Sequence, residues 1–272
     1  METTHEKDNQ ESLILRVSRK LGLGSLLSFV AGLVNSIGFL GFGLFVSHVS
    51  GHATYAAVEY SKHYYILALT SSTAVLFFIL GSATTAILMK GKTIEEQGIT
   101  LILPVILEAL LLLYVMYETF YYSDLQLTYD SYGHANFFLV LSFAMGLQNA
   151  TLRKKQGAHI RTTHMTGTAT DIGSALGTIF YFSIKPLFFI PFSWIKYRKI
   201  STAILIPLKL VYSKQQIDIL LVNLLTLLFF GIGAILGTFG FIYFHFFVLI
   251  LPIFILFMIA IIEFFLGSRK LQ

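Results

Sequence analysis

Six long apolar runs dominate the chain, at residues 23–45, 65–89, 99–121, 135–151, 217–241 and 246–266. A helix that crosses a bilayer needs about 20 apolar residues, within a range of roughly 17 to 25. The runs do not alternate with the period of a half-buried strand, so they read as helices and not as barrel strands. With no water in the lipid core, each must pair its backbone groups internally, as a helix does. A seventh stretch, 168–183, is marginal in length and carries Asp171. It reads as a re-entrant or interfacial helix. The pattern predicts an all-α integral membrane protein with about six transmembrane helices and one such additional helix.

Composition agrees. Of 272 residues, 56% are hydrophobic and 12% charged, and mean hydropathy is +0.75. An ordinary soluble domain carries about a quarter charged residues, so a soluble enzyme is excluded. There is no cysteine, which removes a disulfide framework, a thiol nucleophile and thiolate metal sites. The leading residues 1–12 are polar and mixed in charge, and read as a short disordered tail.

The net charge of +5 resembles a nucleic-acid binder only superficially, because in a membrane protein the position of each basic residue sets orientation. Arg16, Arg19 and Lys20 precede the first run, and Lys90 and Lys92 separate the second from the third. Arg153, Lys154, Lys155 and Arg161 follow the fourth, a basic insert at 184–216 precedes the fifth, and Arg269 and Lys270 end the chain. The loop at 122–134 has Asp124 and Asp130 and no Lys or Arg. Six spans put every basic cluster on the cytoplasmic side, the acidic loop outside, and both termini in the cytoplasm. In the insert, Phe188, Phe189, Phe192, Trp194 and Tyr197 lie beside lysines, with Pro186, Pro191 and Pro207 interrupting. That composition suits a segment lying on an anionic leaflet, and equally a solvated positive-inside loop.

The chain also repeats itself. Leu27-Ser28-Phe29-x-x-Gly32-Leu33-x-Asn35 recurs 114 residues later as Leu141-Ser142-Phe143-x-x-Gly146-Leu147-x-Asn149. Ser47-His48-Val49-Ser50-Gly51 recurs 116 residues later as Thr163-His164-Met165-Thr166-Gly167. Phe77-Phe78-x-x-Gly81 matches Phe229-Phe230-x-x-Gly233 at an offset of 152, and Leu101-Ile102-Leu103-Pro104 matches Leu249-Ile250-Leu251-Pro252 at 148. The jump in offset is the basic insert. Three spans per half is an odd number, so the halves enter the membrane in opposite directions. The domain reading is therefore a tail at 1–20, a first membrane repeat at 21–134, and an inverted second repeat at 135–272. Inverted repeats recur in transporters, with the substrate site at the repeat interface near the midplane.

The repeated polar motifs supply the candidate site. Asn35 and Asn149, with Gln148 beside the second, can hydrogen-bond a neutral substrate or clamp helices together. Ser50-Gly51 and Thr166-Gly167 can open a helix so that its backbone amides reach a ligand, or form a packing turn. His48 and His164 are repeat-related and can carry protons, since histidine titrates near neutral pH. Arg161 suits an anionic group and lies where Asp171 can pair with it. Glu108, inside the third span, is a functional candidate because carboxylates are rare at that depth. Glu118 and Glu263 lie nearer span ends and are expected to reach the interface. Glycines 32, 38, 41, 43, 231, 233, 237 and 240 read as close helix packing. His48 and His52 stand four apart, but no further ligands accompany them, so no metal site is assigned. No cofactor and no catalytic residue is assigned either.

These motifs resemble the YoaK family of bacterial membrane proteins, defined by a domain of unknown function numbered 1275. The resemblance covers nearly the whole chain. It is most specific at Gly146-Leu147-Gln148-Asn149-Ala150 and at Arg161-Thr162-Thr163-His164-Met165-Thr166-Gly167-Thr168-Ala169-Thr170-Asp171. Asn35 and His52 depart from it, standing where the family usually has Asp and Asn. The resemblance implies a multi-span helical fold in the bacterial plasma membrane and names no substrate.

The function expected is a small secondary transporter or permease of an unidentified small molecule, using the residues named above. Two other readings are a membrane-embedded enzyme acting on a lipid-like substrate through His48, His164 and Asp171, and a non-catalytic scaffold or sensor. The expected partners are the bilayer, the small-molecule substrate, anionic lipid at the basic insert and a second copy of the chain, with no nucleic acid.

Overall fold

A computed structural model describes residues 2–91, 99–120, 132–152, 162–197 and 214–268. The acidic loop with Asp124 and Asp130 lies outside the described residues. So do Lys92, Arg153, Lys154, Lys155, Arg161, Arg198, Lys199, Lys209, Arg269 and Lys270. The regular elements among the described residues are all helices: α1 (Glu2–Phe42), α2 (Val49–Ser61), α3 (Tyr65–Leu88), α4 (Ile102–Phe120), α5 (Tyr132–Thr151), α6 (Met165–Tyr197), α7 (Lys214–Phe244) and α8 (Ile250–Ser268), with short 3-10 turns at Ile99–Leu101 and His245–Leu249.

Among the described residues, four segments are long and apolar enough to cross a bilayer: Leu21–Phe42, Tyr65–Leu88, Ile102–Phe120 and the 47-residue Leu220–Leu266. The last holds α7 and α8, separated at His245, whose φ is 51°. At 1.5 Å per residue it is about twice a bilayer's hydrocarbon thickness. The outer faces are apolar as well. Leu69, Ile79, Ile87, Ile235, Phe239 and Phe254 are all exposed, which water would penalise and lipid does not.

The expected disordered tail is instead helical, because α1 begins at Glu2. No Pro or Gly precedes Gly22, so nothing in the sequence interrupts the helix there. Likewise α6 runs on past the stretch 168–183, through Pro186 and Pro191, to Tyr197. The start of the insert is thus helical.

Glycine decides how the helices pack. A Cβ on Gly32 of α1 would meet the carbonyl oxygen of Phe230 in α7, and one on Gly233 of α7 would meet that of Phe29 in α1. The same exchange joins α3 and α5, where Gly81 faces the Phe143 carbonyl and Gly146 the Phe78 carbonyl. Only hydrogen at these four positions lets the backbones touch. Hydroxyls fasten the second crossing, with Ser82 Oγ donating to Gly146 O at 3.0 Å and Thr85 Oγ1 to Leu147 O at 2.9 Å. Gly231, by contrast, has open space beside it, and Gly43 serves the turn after α1 with a φ of 81°.

The packing falls into matched sets. α1 lies on α7 as α5 lies on α3; α2 lies on α3 as α6 lies on α7; α4 lies on α5 as α8 lies on α1. α4 and α8 pack on each other, with the Phe120 ring at the end of α4 5.3 Å from that of Phe247 just before α8. They therefore run antiparallel. The core forms where α1, α4, α5 and α8 meet, around Leu27, Phe42, Leu112, Phe138, Leu141 and Leu256.

Three of the described carboxylates are buried, one of them deeper than expected. Glu108 is buried in α4, and its Oε1 has no hydrogen-bond partner among the described residues. Glu263, expected at the interface, is buried too. It continues the inward face of Ile253, Leu256, Ile259 and Ala260 one turn further along α8. Glu59 is buried at the end of α2 and paired with Lys62 at 2.9 Å.

Candidate functional site

After α1 the chain turns at Gly43 and comes back to the level of Asn35. The Asn35 side-chain oxygen Oδ1 accepts hydrogen bonds from Ser47 N at 3.2 Å and Ser47 Oγ at 3.0 Å. α2 therefore starts beside the last turns of α1 and not beyond its end. The second half repeats the arrangement: Asn149 Oδ1 accepts from Thr163 N at 3.5 Å, and α6 starts beside α5. Each asparagine anchors the segment that leads into a helix.

The two helix starts open on one cavity of about 760 Å³, within the range of small-molecule sites. Its walls are paired. Asn35 and Asn149, Ser47 and Thr163, His48 and His164, Val49 and Met165, Ser50 and Thr166, and Phe78 and Phe230 all line it, joined by Phe45 and Ala53. Every pair stands at one of the sequence offsets of 114, 116 or 152.

His48 and His164 stand just ahead of α2 and α6. A Cβ on Gly51 would strike the His48 imidazole, and one on Gly167 that of His164. Glycine three residues into the segment lets each ring fold back over the first turn. We expect Gly51→Ala and Gly167→Ala to fold, since alanine favours a helix by up to about 1 kcal/mol and a ring can rotate away. Each should displace its own histidine, read as a shift of that imidazole's NMR resonances. Unmoved resonances in a well-folded variant would contradict this role for the glycine.

Backbone donors complete the site. His52 N bonds His48 O and Thr168 N bonds His164 O, but the amides of Ser50, Gly51, Thr166 and Gly167 find no backbone acceptor among the described residues. These are the first-turn donors that every helix leaves unsatisfied.

Of the residues singled out from sequence, Asn35, His48, Ser50, Asn149, His164 and Thr166 line the cavity. Gly51 and Gly167 lie behind the histidine rings. Gln148 does not line it: fully buried, its Nε2 donates to the Leu27 carbonyl in α1, and to Thr162 Oγ1 at 3.2 Å. Asp171 is exposed on α6, away from the cavity wall. Arg161, its expected partner, lies outside the described residues. Glu108 lies in the helical core, also off the cavity. Among the described residues no group of three His, Cys, Asp or Glu could hold a metal ion. His52 is buried against Phe138, ring centroids 5.4 Å apart. Sequence reasoning did not place Phe45, Phe78 and Phe230 in the site. The Phe-Phe-x-x-Gly repeat carried the signal for the last two, but phenylalanine is abundant here.

Comparison with known proteins bears on this chain as a whole. Residues 23–262 match the family described as Protein of unknown function (DUF1275). The UPF0700 transmembrane protein YoaK of Bacillus subtilis (strain 168) is 30% identical over 169 residues, spanning 60% of this chain and 71% of that protein. No solved structure matches the chain. The match to the family covers every residue that lines the cavity, and the chain belongs to the DUF1275 family of membrane proteins.

Proposed function

We propose that the protein is a small secondary transporter or permease of the bacterial plasma membrane. Its two halves are inverted three-span repeats, and its substrate site is the cavity between the starts of α2 and α6. The observation that carries this reading is the pairing of the cavity wall by the repeat offsets. A pathway midway between inverted repeats is lined by the same motif from each half.

Chain direction supports the inversion. Along the α1–α7 contact, Phe29 meets Gly233 and Ser36 meets Gly237, so the helices run parallel. Ser82 meets Gly146 and Thr85 meets Leu147, so α3 and α5 run parallel also. α4 and α8 are antiparallel. Six spans with α1, α4 and α7 running outward and α3, α5 and α8 inward satisfy all three relations. α2 and α6 then start within the membrane and run to opposite faces, α2 as a short half-helix and α6 continuing past the bilayer into the insert.

The absence of cysteine gives a clean test. Single cysteines go in at Ser50, Thr166, Lys90 and Thr128, and a membrane-impermeant thiol reagent is applied to each face of sealed vesicles. Lys90→Cys should react only from the cytoplasm and Thr128→Cys only from outside. Ser50→Cys and Thr166→Cys should react from the same face as each other, because they share one aqueous cavity. Failure of both to react from either face would remove the pathway, and cytoplasmic labelling at 128 would reverse the orientation.

A further inference from the structure

We propose that the cavity binds a small organic monoanion, an oxyanion such as a carboxylate on an apolar body. This rests on the permease reading and names its substrate class. The polar wall presents donors. The four free amides of the helix starts point out of the ends of α2 and α6, and a helix N-terminus carries roughly half a positive charge. Two such ends sum to roughly one charge, the complement of a single anion. The asparagine oxygens are taken by Ser47 and Thr163, which leaves each side-chain NH2 to donate.

Among the described residues the lining contains no Asp or Glu and no Lys or Arg. A cation would therefore meet two positive helix ends with no carboxylate to hold it. The rest of the wall is apolar, with Phe45, Phe78 and Phe230 aromatic and Val49 and Met165 aliphatic. That surface suits the body of an organic acid better than a hydrated inorganic ion, which would lose its shell against it.

One ligand chemistry has two sources here: a free carboxylate from water, or the headgroup of an anionic lipid. Three probes of one shape separate charge from fit: benzoate, benzamide and benzylamine. Each is titrated at constant ionic strength into the full-length protein in neutral detergent, with thermal shift and calorimetry as readouts. Benzoate should raise Tm saturably, as a ligand selective for the folded state does, and the other two should not. Asn35→Asp keeps the oxygen that anchors Ser47, so its unliganded Tm should match wild type. It sets a carboxylate in the cavity and should weaken benzoate by at least about tenfold, the scale of a lost charged hydrogen bond. Asn149→Asp gives the same comparison from the other half.

Benzoate displaced by added phosphatidylglycerol would support the anion site with lipid as its source; benzoate that persists against it would support a free solute. Equal stabilisation by benzamide or benzylamine, benzoate binding unchanged in both Asp variants, or no binding by any probe would overturn the anion assignment. The permease reading would then still stand or fall on the cysteine labelling, which uses no ligand.

Discussion

Replacing Gly146 with isoleucine should cost the protein more stability than almost any other single change. The Cβ would land on the Phe78 carbonyl oxygen and within 3.0 Å of the carbonyl carbon and Cα behind it. All of these are backbone atoms of α3, so no rotamer can relieve the clash and the two helices must separate. Overpacking a well-filled interior costs about 1–3 kcal/mol and occasionally more. A clash with backbone at a helix crossing belongs at the top of that range, and separating the helices also strains the Ser82 and Thr85 hydrogen bonds to α5. A loss of about 3 kcal/mol lowers Tm by roughly 6–12 °C in a chain of this size. Gly32→Ile, Gly81→Ile and Gly233→Ile should behave alike. Gly231→Ala is the control: two residues from Gly233, it has no atom within 4 Å of the place its Cβ would take and should melt at or above wild type. Melts in detergent followed by size exclusion decide the matter. A Gly146→Ile protein as stable as Gly231→Ala would mean that the α3–α5 crossing is wrong.

Those crossings were partly legible in the sequence. The motif around Gly32 and Gly146 is long and keeps residue identity, because the contact leaves no freedom at the glycine and little beside it. The motif around Gly81 and Gly233 is short, and only its order in the chain gave it weight. The long runs were legible because lipid demands apolar residues over a whole bilayer thickness. α2 was harder to see: it has 13 residues and carries His52 and Glu59, so no span-length window registers it. Its start was visible only through the likeness of 47–51 to 163–167. The tail differs from expectation because polar composition suggests disorder, while the absence of Gly and Pro leaves the helix free to continue. Glu263 differs because distance along the chain says little where the face of α8 decides burial.

Gln148 and Asn149 are neighbours whose substitutions should have opposite consequences. From sequence alone the two amides read as one polar cluster. A helix turns by about 100° per residue, and that turn directs Gln148 into the protein and Asn149 to the cavity. Gln148→Ala removes a fully buried side chain and leaves a void among α1, α5 and the Thr162 segment. Large-to-small changes at such sites cost about 2–5 kcal/mol. The lost hydrogen bonds add less, since those between membrane helices average only about 0.6 kcal/mol. Asn149→Ala empties volume already open to the cavity and gives up one hydrogen bond at the long distance of 3.5 Å, so its cost should stay below about 1.5 kcal/mol. Its effect falls instead on the anchoring of Thr163 ahead of α6. In a Thr166→Cys background, Asn149→Ala should change the rate of thiol labelling severalfold while Tm hardly moves. Gln148→Ala should lower Tm strongly, and below that Tm should leave the labelling rate near that of its parent. The reverse pattern would put Gln148 on the cavity and Asn149 in the core, and would overturn the register of α5 on which the site is built.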